Sequence, residues 1–346
     1  MLTALCKDKT MINLDSIRMP IVSDLEAFEE FLRGQFSSDG KLMSEMLTHV
    51  LSARGKSIRP IIVMLTSALT SSANNRQWVE GERNCTNRTY LAAMMVEMLH
   101  TASLIHDDVI DNADMRRGKP SANALWQSRN AVILGDYLLA RTMSAGMESA
   151  QYDLVSHIIG SVATLCEGEV LQSQHAADKD TTRQDYLDII YKKTASLISI
   201  SASAGAVSVM ASREDVEQMR RFGEALGMAF QIQDDILDFS RSAKTGKPSN
   251  NDLREGKITL PLIEVLEQCT SDERQRLIEK LSECAHDESA VDYLQGVVEA
   301  TGGMALAART MNSYITKATS ILSRYADSPY REALINLCAF VAQRDN

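Results

Sequence analysis

The chain has 346 residues, 45% of them hydrophobic, and a formal net charge of −10, so a sizeable core can be buried in one large domain or two ordinary ones. The acidic balance argues against a general nucleic-acid binder, which needs a basic face, while local basic residues can still hold an anionic ligand. Cys6, Cys85, Cys166, Cys269, Cys284 and Cys338 show no CxxC or zinc-like spacing, which reads as free thiols in a reducing compartment.

The first twenty residues, MLTALCKDKTMINLDSIRMP, contain no secretory signal. A flexible or targeting segment over 1–20 is expected, ahead of a single domain over 21–346, in a protein that is intracellular, mitochondrial or cytoplasmic. Ser23-Asp24-Leu25-Glu26 reads as a capping box for a first helix. A second amphipathic run covers 41–52, and a third helix starts at Arg59. Residues 71–89 are polar and aperiodic, a loop. A long apolar helix then runs from Tyr90 into a group of aspartates. Further helical runs cover 128–149, 153–176, 182–211 and 214–240. The stretch SRSAKTGKPSNNDLREGK between 240 and 257 is a loop, and helices resume at Leu260 with a break at Gly302-Gly303.

Residues 194–212 carry no formal charge and are about long enough to span a bilayer. Their serines, and the charges of Lys193 and Arg213 at either end, favour a small-residue helix buried in a bundle. Long proline-free intervals and the absence of strand alternation give an all-α domain of ten or more helices.

Two stretches carry the chemistry. LIHDDVID holds Asp107, Asp108 and Asp111; FQIQDDILDF holds Asp234, Asp235 and Asp238. Both read D-D-x-x-D, and on a helix positions i, i+1 and i+4 fall within an arc of about 100°. Each trio is a carboxylate patch at a helix end, and carboxylates so close require protonation, basic neighbours or metal ions. Hard oxygen ligands on an open face suit Mg²⁺, which takes further oxygens from a substrate phosphate. One such cluster alone is as readily a solvated helix end; two with identical spacing favour metal binding. The basic partners are Lys56 and Arg59 at a helix start, where backbone N–H groups also favour anions, with Arg116, Arg117, Lys193 beside Thr194, Lys247 and Lys257. Together they point to a bound diphosphate.

With these motifs the chain resembles the trans-isoprenyl diphosphate synthases, over about 41–344. EMLHTASLIHDDVID, DMRRGKPSANALW, AVILGDYLLA, KKTASL, GKPSNNDLREGKITLPLI and REALINLCAFVAQRD are similar to the long-chain polyprenyl branch, of the solanesyl and octaprenyl type. The resemblance implies a single-domain bundle of mostly antiparallel helices around a central active-site cavity, in a homodimer. It implies head-to-tail, trans addition of isopentenyl diphosphate to an allylic diphosphate such as farnesyl diphosphate, with three Mg²⁺ ions. Carried over residue by residue, Asp107 and Asp111 would bind metal directly with Asp108 in support, and Asp234 would hold a third ion with Asp235 and Asp238 nearby. Arg116, Lys193, Lys257 and Lys247 would grip the allylic diphosphate. Lys56, Arg59, His100 and Arg117 would bind isopentenyl diphosphate. Thr194 and Gln231 would sit near the developing cation. His106 reads as a structural residue or one that supports a ligand-contacting neighbour. The chain departs from the family's Gly-Gly-Lys-Arg-x-Arg-Pro: here the stretch is Arg54-Gly55-Lys56-Ser57-Ile58-Arg59-Pro60, which resembles a shorter long-chain form and bears on how tightly isopentenyl diphosphate is held.

In that family the fourth and fifth positions before the first aspartate motif commonly floor the product cavity; here they are Ser103 and Ala102, both small, with Leu99 and Met95 on the turns below. One turn rises about 5.4 Å, comparable with one isoprene unit, so a product in the C30–C50 class is expected, of the kind used for a quinone side chain. So apolar a product implies peripheral membrane contact on release. Three rivals are weaker. A class I terpene cyclase usually has one aspartate motif and needs no isopentenyl diphosphate site. A non-catalytic subunit of a heteromeric synthase usually has eroded motifs, although an obligate second subunit is compatible with intact ones. A di-iron bundle needs paired Glu-x-x-His motifs, and that spacing occurs once beside the aspartates, at Glu97 and His100.

Overall fold

Helices follow one another along nearly all of the computed structural model, which describes residues 13–52, 55–71, 82–240 and 250–344. In chain order they are α1 (Leu14–Arg18), α2 (Val22–Gln35), α3 (Lys41–Ser52), α4 (Ile58–Thr70), α5 (Asn87–Ile110), α6 (Ala122–Glu148), α7 (Tyr152–Asp178), α8 (Arg183–Ile190), α9 (Ser196–Ser208), α10 (Arg213–Phe239), α11 (Asn251–Arg254), α12 (Leu260–Leu266), α13 (Ser271–Glu283), α14 (Glu288–Thr301), α15 (Gly303–Leu322) and α16 (Pro329–Ala342). The strand pair β1 (Met115–Arg116) and β2 (Lys119–Pro120) forms a two-residue hairpin between α5 and α6. Two residues per strand are too few for any alternation to register in the sequence.

The centre is built from α4, α5, α9 and α10. α4 and α9 are buried on nearly every face, and the small and apolar residues of α9 accordingly show no amphipathic stripe. The uncharged stretch expected to be a buried small-residue helix is α9, packed between α4 and α10. α6 and α7 flank α5 on one side, and α15 and α16 flank α10 on the other. Among the described residues only α7 is long and apolar enough to cross a membrane, by length and composition.

Three sequence expectations change. The run 182–211 is two helices, because residues 191–195 form a π turn; Gly168 of α7 admits it, since a side-chain carbon there would lie 2.7 Å from the Lys193 backbone nitrogen. The proposed capping box does not cap: α2 starts at Val22 without a side-chain cap. Asp24 is instead fully buried and accepts from the N–H groups of Asn84 and Cys85 and from the Tyr90 hydroxyl at 2.9 Å. A carboxylate that satisfies orphan donors ahead of another helix is worth more there than at its own N-terminus. Of the expected N-terminal segment, residues 1–12 lie outside the described residues, whereas Ile17 and Pro20 are buried.

Candidate active site

Both aspartate trios close the C-terminal end of a long central helix, α5 and α10. At α5, Asp107 and Asp108 occupy the last turn and Asp111 the C-cap, its N–H bonded to the Asp107 carbonyl at 2.8 Å. Asp108 is 2% exposed. The β1–β2 hairpin folds Arg116 back onto it, with Nε 2.7 Å and Nη2 2.5 Å from Oδ1. No side chain among the described residues hydrogen-bonds the carboxylates of Asp107 and Asp111. Burial, then the negative charge of Glu169, raises Asp107 to about 6.

At α10 the same spacing is tied down. Asp235 is buried and accepts from the Tyr186 hydroxyl at 2.6 Å and from Gln231 Nε2 at 2.8 Å. Burial, then the charge of Asp252, pushes its carboxyl well above the usual range. Gln231 also accepts from Thr194 Oγ1 at 2.7 Å, so the two residues assigned to the developing cation are bonded to each other. Asp238 accepts the backbone N–H groups of Asn251 and Asp252 at 3.1 and 3.0 Å, and so starts α11. Asp234 is paired with Arg344 at 2.8 Å.

The basic residues fall into two groups. Lys193 is held by Glu169 at 2.7 Å and by Gln172 at 2.6 Å, both on α7. Lys257 pairs with Glu255 and feels the charges of Asp252 and Asp111. Lys193, Thr194, Gln231, Asp252 and Lys257 line a polar chamber of about 130 Å³. The second group surrounds the start of α4. Burial lowers the Arg59 guanidinium to about 10, still charged at neutral pH. His100 is held well below its ordinary value by burial, then by Arg59, Arg117 and Arg116, so it is a neutral imidazole among three guanidinium groups. Arg117 lies over Gly55, where a side-chain carbon would be 2.7 Å from its Cζ. Lys56 sits 5.5 Å from the centre of the Phe340 ring. Lys247 lies outside the described residues.

Below the α5 end runs an apolar cavity of about 420 Å³. Asp107 and Glu169 mark its mouth, and Ser103, Leu99, Leu139, Ser161, Leu165 and Leu197 line its walls. Eight residues separate Asp107 from Leu99, a descent of about 12 Å on a helix. Ser103 and Leu99 face this space as expected from sequence. Ala102 does not line it and is instead fully buried in the core. One position on a helix turns a side chain by about 100°, which separates the cavity wall from the helix packing. Met95, one turn below Leu99, is fully buried beside Gly146 of α6.

Sequence reasoning missed the residues that hold the site together. Glu169 and Gln172 aim Lys193, Tyr186 holds Asp235, and Arg344 holds Asp234. The i, i+3 spacing of Glu169 and Gln172 signals a shared helix face, but nothing in the sequence says which lysine they meet. His106, left as structural, has Nε2 3.3 Å from the Val132 carbonyl and 3.4 Å from Asp136.

Asp107 and Asp111, one turn apart with hard oxygen donors, fit a divalent cation that completes its shell from a phosphate. Among the described residues no group of three or more acidic, His or Cys side chains makes a ready-made cation cage.

The family model described as polyprenyl synthetase matches residues 40–298. The chain is 36% identical over 329 residues to an all-trans-nonaprenyl-diphosphate synthase (geranyl-diphosphate specific) of Rhodobacter capsulatus, covering 95% of this chain and 97% of that one. It is 31% identical over 335 residues to octaprenyl diphosphate synthase of Escherichia coli, covering 96% and 100%. Among solved structures it is similar to polyprenyl synthase of Caulobacter crescentus complexed with calcium and isoprenyl diphosphate, with a TM-score of 0.86, 28% identity, and 98% and 100% of the two chains covered.

Proposed function

We propose, from the premise that the chain belongs to the polyprenyl synthetase family, that its two aspartate helix ends and the cavity below α5 build a long-chain polyprenyl diphosphate. The enzyme is a trans-prenyltransferase: it adds isopentenyl diphosphate head to tail to an allylic diphosphate, and its activity depends on Mg²⁺. The observation that carries the long-chain reading is the apolar cavity that reaches from Asp107 down α5 past the small Ser103 to Leu99, with no phenylalanine, tyrosine or tryptophan in its lining.

Asp107 and Asp111 would hold Mg²⁺ at the first end, and Asp234 a third ion at the second. Bound there, the ions would neutralise the diphosphate and stabilise the pyrophosphate that leaves. Arg116 keeps Asp108 paired and the α5 end in shape, and it also belongs to the group that grips the allylic diphosphate. Lys193, aimed by Glu169 and Gln172, and Lys257 grip the allylic diphosphate, with Lys247 assigned to the same group. Lys56, Arg59, His100 and Arg117 bind isopentenyl diphosphate; neutral His100 donates a hydrogen bond without adding a charge. The Thr194–Gln231 pair presents oxygen dipoles toward the cation formed when the C–O bond ionises. The double bond of the second substrate attacks that cation, and the proton then lost goes to the departing pyrophosphate, so no protein base is assigned.

The cavity's descent of about 12 Å holds two to three isoprene units at about 5 Å each. Longer growth would continue between α6 and α7 past Val132 and Val170, which line the cavity, beneath the partner chain in a dimer. Leu125, Val132 and Ile133 of α6 and Ile159 and Val170 of α7 form an exposed apolar face, which supports a homodimer joined there. Membrane contact on product release and an intracellular location, mitochondrial or cytoplasmic, complete the reading, with the product serving as a quinone side chain.

The test is incorporation of labelled isopentenyl diphosphate by the purified chain, with and without Mg²⁺ and the allylic substrate. Label is expected in extended prenyl diphosphates only when all three are present. Pyrophosphate released from the allylic substrate alone would mark a class I cyclase. Activity only with a second polypeptide would mark an obligate heteromer.

A further inference from the structure

Every carboxylate of the second trio is already bonded, but not by the same kind of partner. Asp235 accepts from a phenol and an amide, and Asp238 from two backbone N–H groups. These neutral donors leave whatever charge the carboxyl carries in place. Asp234 alone is hydrogen-bonded to a full positive charge, which comes from the far end of the chain, while the charge of Lys56 acts on it without a bond. Arg344, just past α16, donates Nη1 to Asp234 Oδ1 at 2.8 Å. Its guanidinium lies 4.9 Å from the centre of the Phe230 ring, one turn earlier on α10. Its carbonyl accepts from Gln233 Nε2 at 3.1 Å. The tail is thus fastened to α10 at Phe230, Gln233 and Asp234.

The grip is incomplete. One guanidinium N–H meets one carboxylate oxygen, not the two parallel bonds that make such pairs strong, and Arg344 Nε is buried without a hydrogen-bond partner. A cation held by one bond to a hard oxygen is one that a divalent metal ion can replace.

We propose that Arg344 is a built-in counter-ion for Asp234, occupying its carboxylate until a divalent metal ion displaces it. Arg344 is then a positioning residue. It keeps Asp234 oriented toward the site in the resting enzyme and sets how readily the second aspartate end takes metal. The proposal rests on the reading of Asp234 as a metal ligand.

The test is a titration of full-length protein with Mn²⁺, free ion being read by electron paramagnetic resonance, with Mn²⁺ alone and with inorganic pyrophosphate added. R344Q is expected to bind Mn²⁺ roughly two- to five-fold more tightly than wild type, the range of a part-exposed ion pair. R344K keeps the charge and is expected to stay near wild type, which separates competition from misfolding. In a D234N background the effect of R344Q should vanish. Equal or weaker binding by R344Q under both conditions overturns the proposal. So does tightening of the same size in D234N, which would make it a long-range charge effect. If D234N itself binds Mn²⁺ as wild type does, the proposal falls because Asp234 is not a ligand.

Discussion

The C-terminal ends of α5 and α10 carry the same five-residue pattern in opposite settings. At α5 only Asp108 is committed, to Arg116, while Asp107 lines an apolar cavity and Asp111 is exposed at the helix end. At α10 all three carboxylates are engaged, by Arg344, by Tyr186 with Gln231, and by the start of α11. Spacing fixes the local geometry of a carboxylate patch; residues far away in the chain decide whether it stands open or is stitched into the fold. On the proposed reading, the α5 end is where substrate would be ionised above the growing chain. The α10 end also anchors α8, α11 and the C-terminus.

That contrast can be broken in three ways. The largest effect is expected at the open end. D107N or D111N should lower kcat/KM roughly 100- to 1000-fold, as loss of a charge-stabilising group does, without lowering the melting temperature in metal-free buffer. A clear loss of stability in either variant would mean that the α5 end is as structural as its counterpart. The stitched end should answer in the other currency. Y186F removes a buried hydrogen bond to Asp235 and is expected to cost about 1–2 kcal/mol in urea unfolding, with a smaller fractional loss of activity than D111N. An unfolding curve that overlays wild type would show that Asp235 is not held as described.

The smallest effect concerns pH. Asp107 ionises near 3.8 in an unfolded chain and at about 6 in the folded one, so folding favours its protonated form. That contribution is complete below the unfolded value and is lost as pH rises through the folded one. D107N lacks it, so in metal-free buffer its melting temperature should gain on that of wild type between about pH 4 and pH 7. A constant difference across that interval would remove the desolvation of Asp107 from the account.

Much of this was legible in the sequence, and what was not has a physical cause. The aspartate trios, Lys193 with Thr194, and Arg116 with Arg117 are local patterns, and local spacing survives into the fold. Their partners are not local: Arg344 meets Asp234, and Tyr186 meets Asp235, across most of a domain's worth of packing. Asp24 shows the same limit, since its pattern fitted a cap while its bonds go to residues 84, 85 and 90. Ala102 and Ser103 differ by one position, and only side-chain direction separates a core residue from a cavity wall. The π turn at 191–195 depends on Gly168 of a neighbouring helix, which periodicity along one segment cannot report.

The most direct test of the central claim is to size the products of wild type and S103F, made from farnesyl diphosphate and labelled isopentenyl diphosphate with Mg²⁺, after phosphatase treatment. The account predicts a wild-type ladder ending in the C30–C50 range, and an S103F ladder ending several units shorter because the ring fills the cavity below Asp107. A wild-type product that stops at C20, or an S103F product of unchanged length, would contradict it.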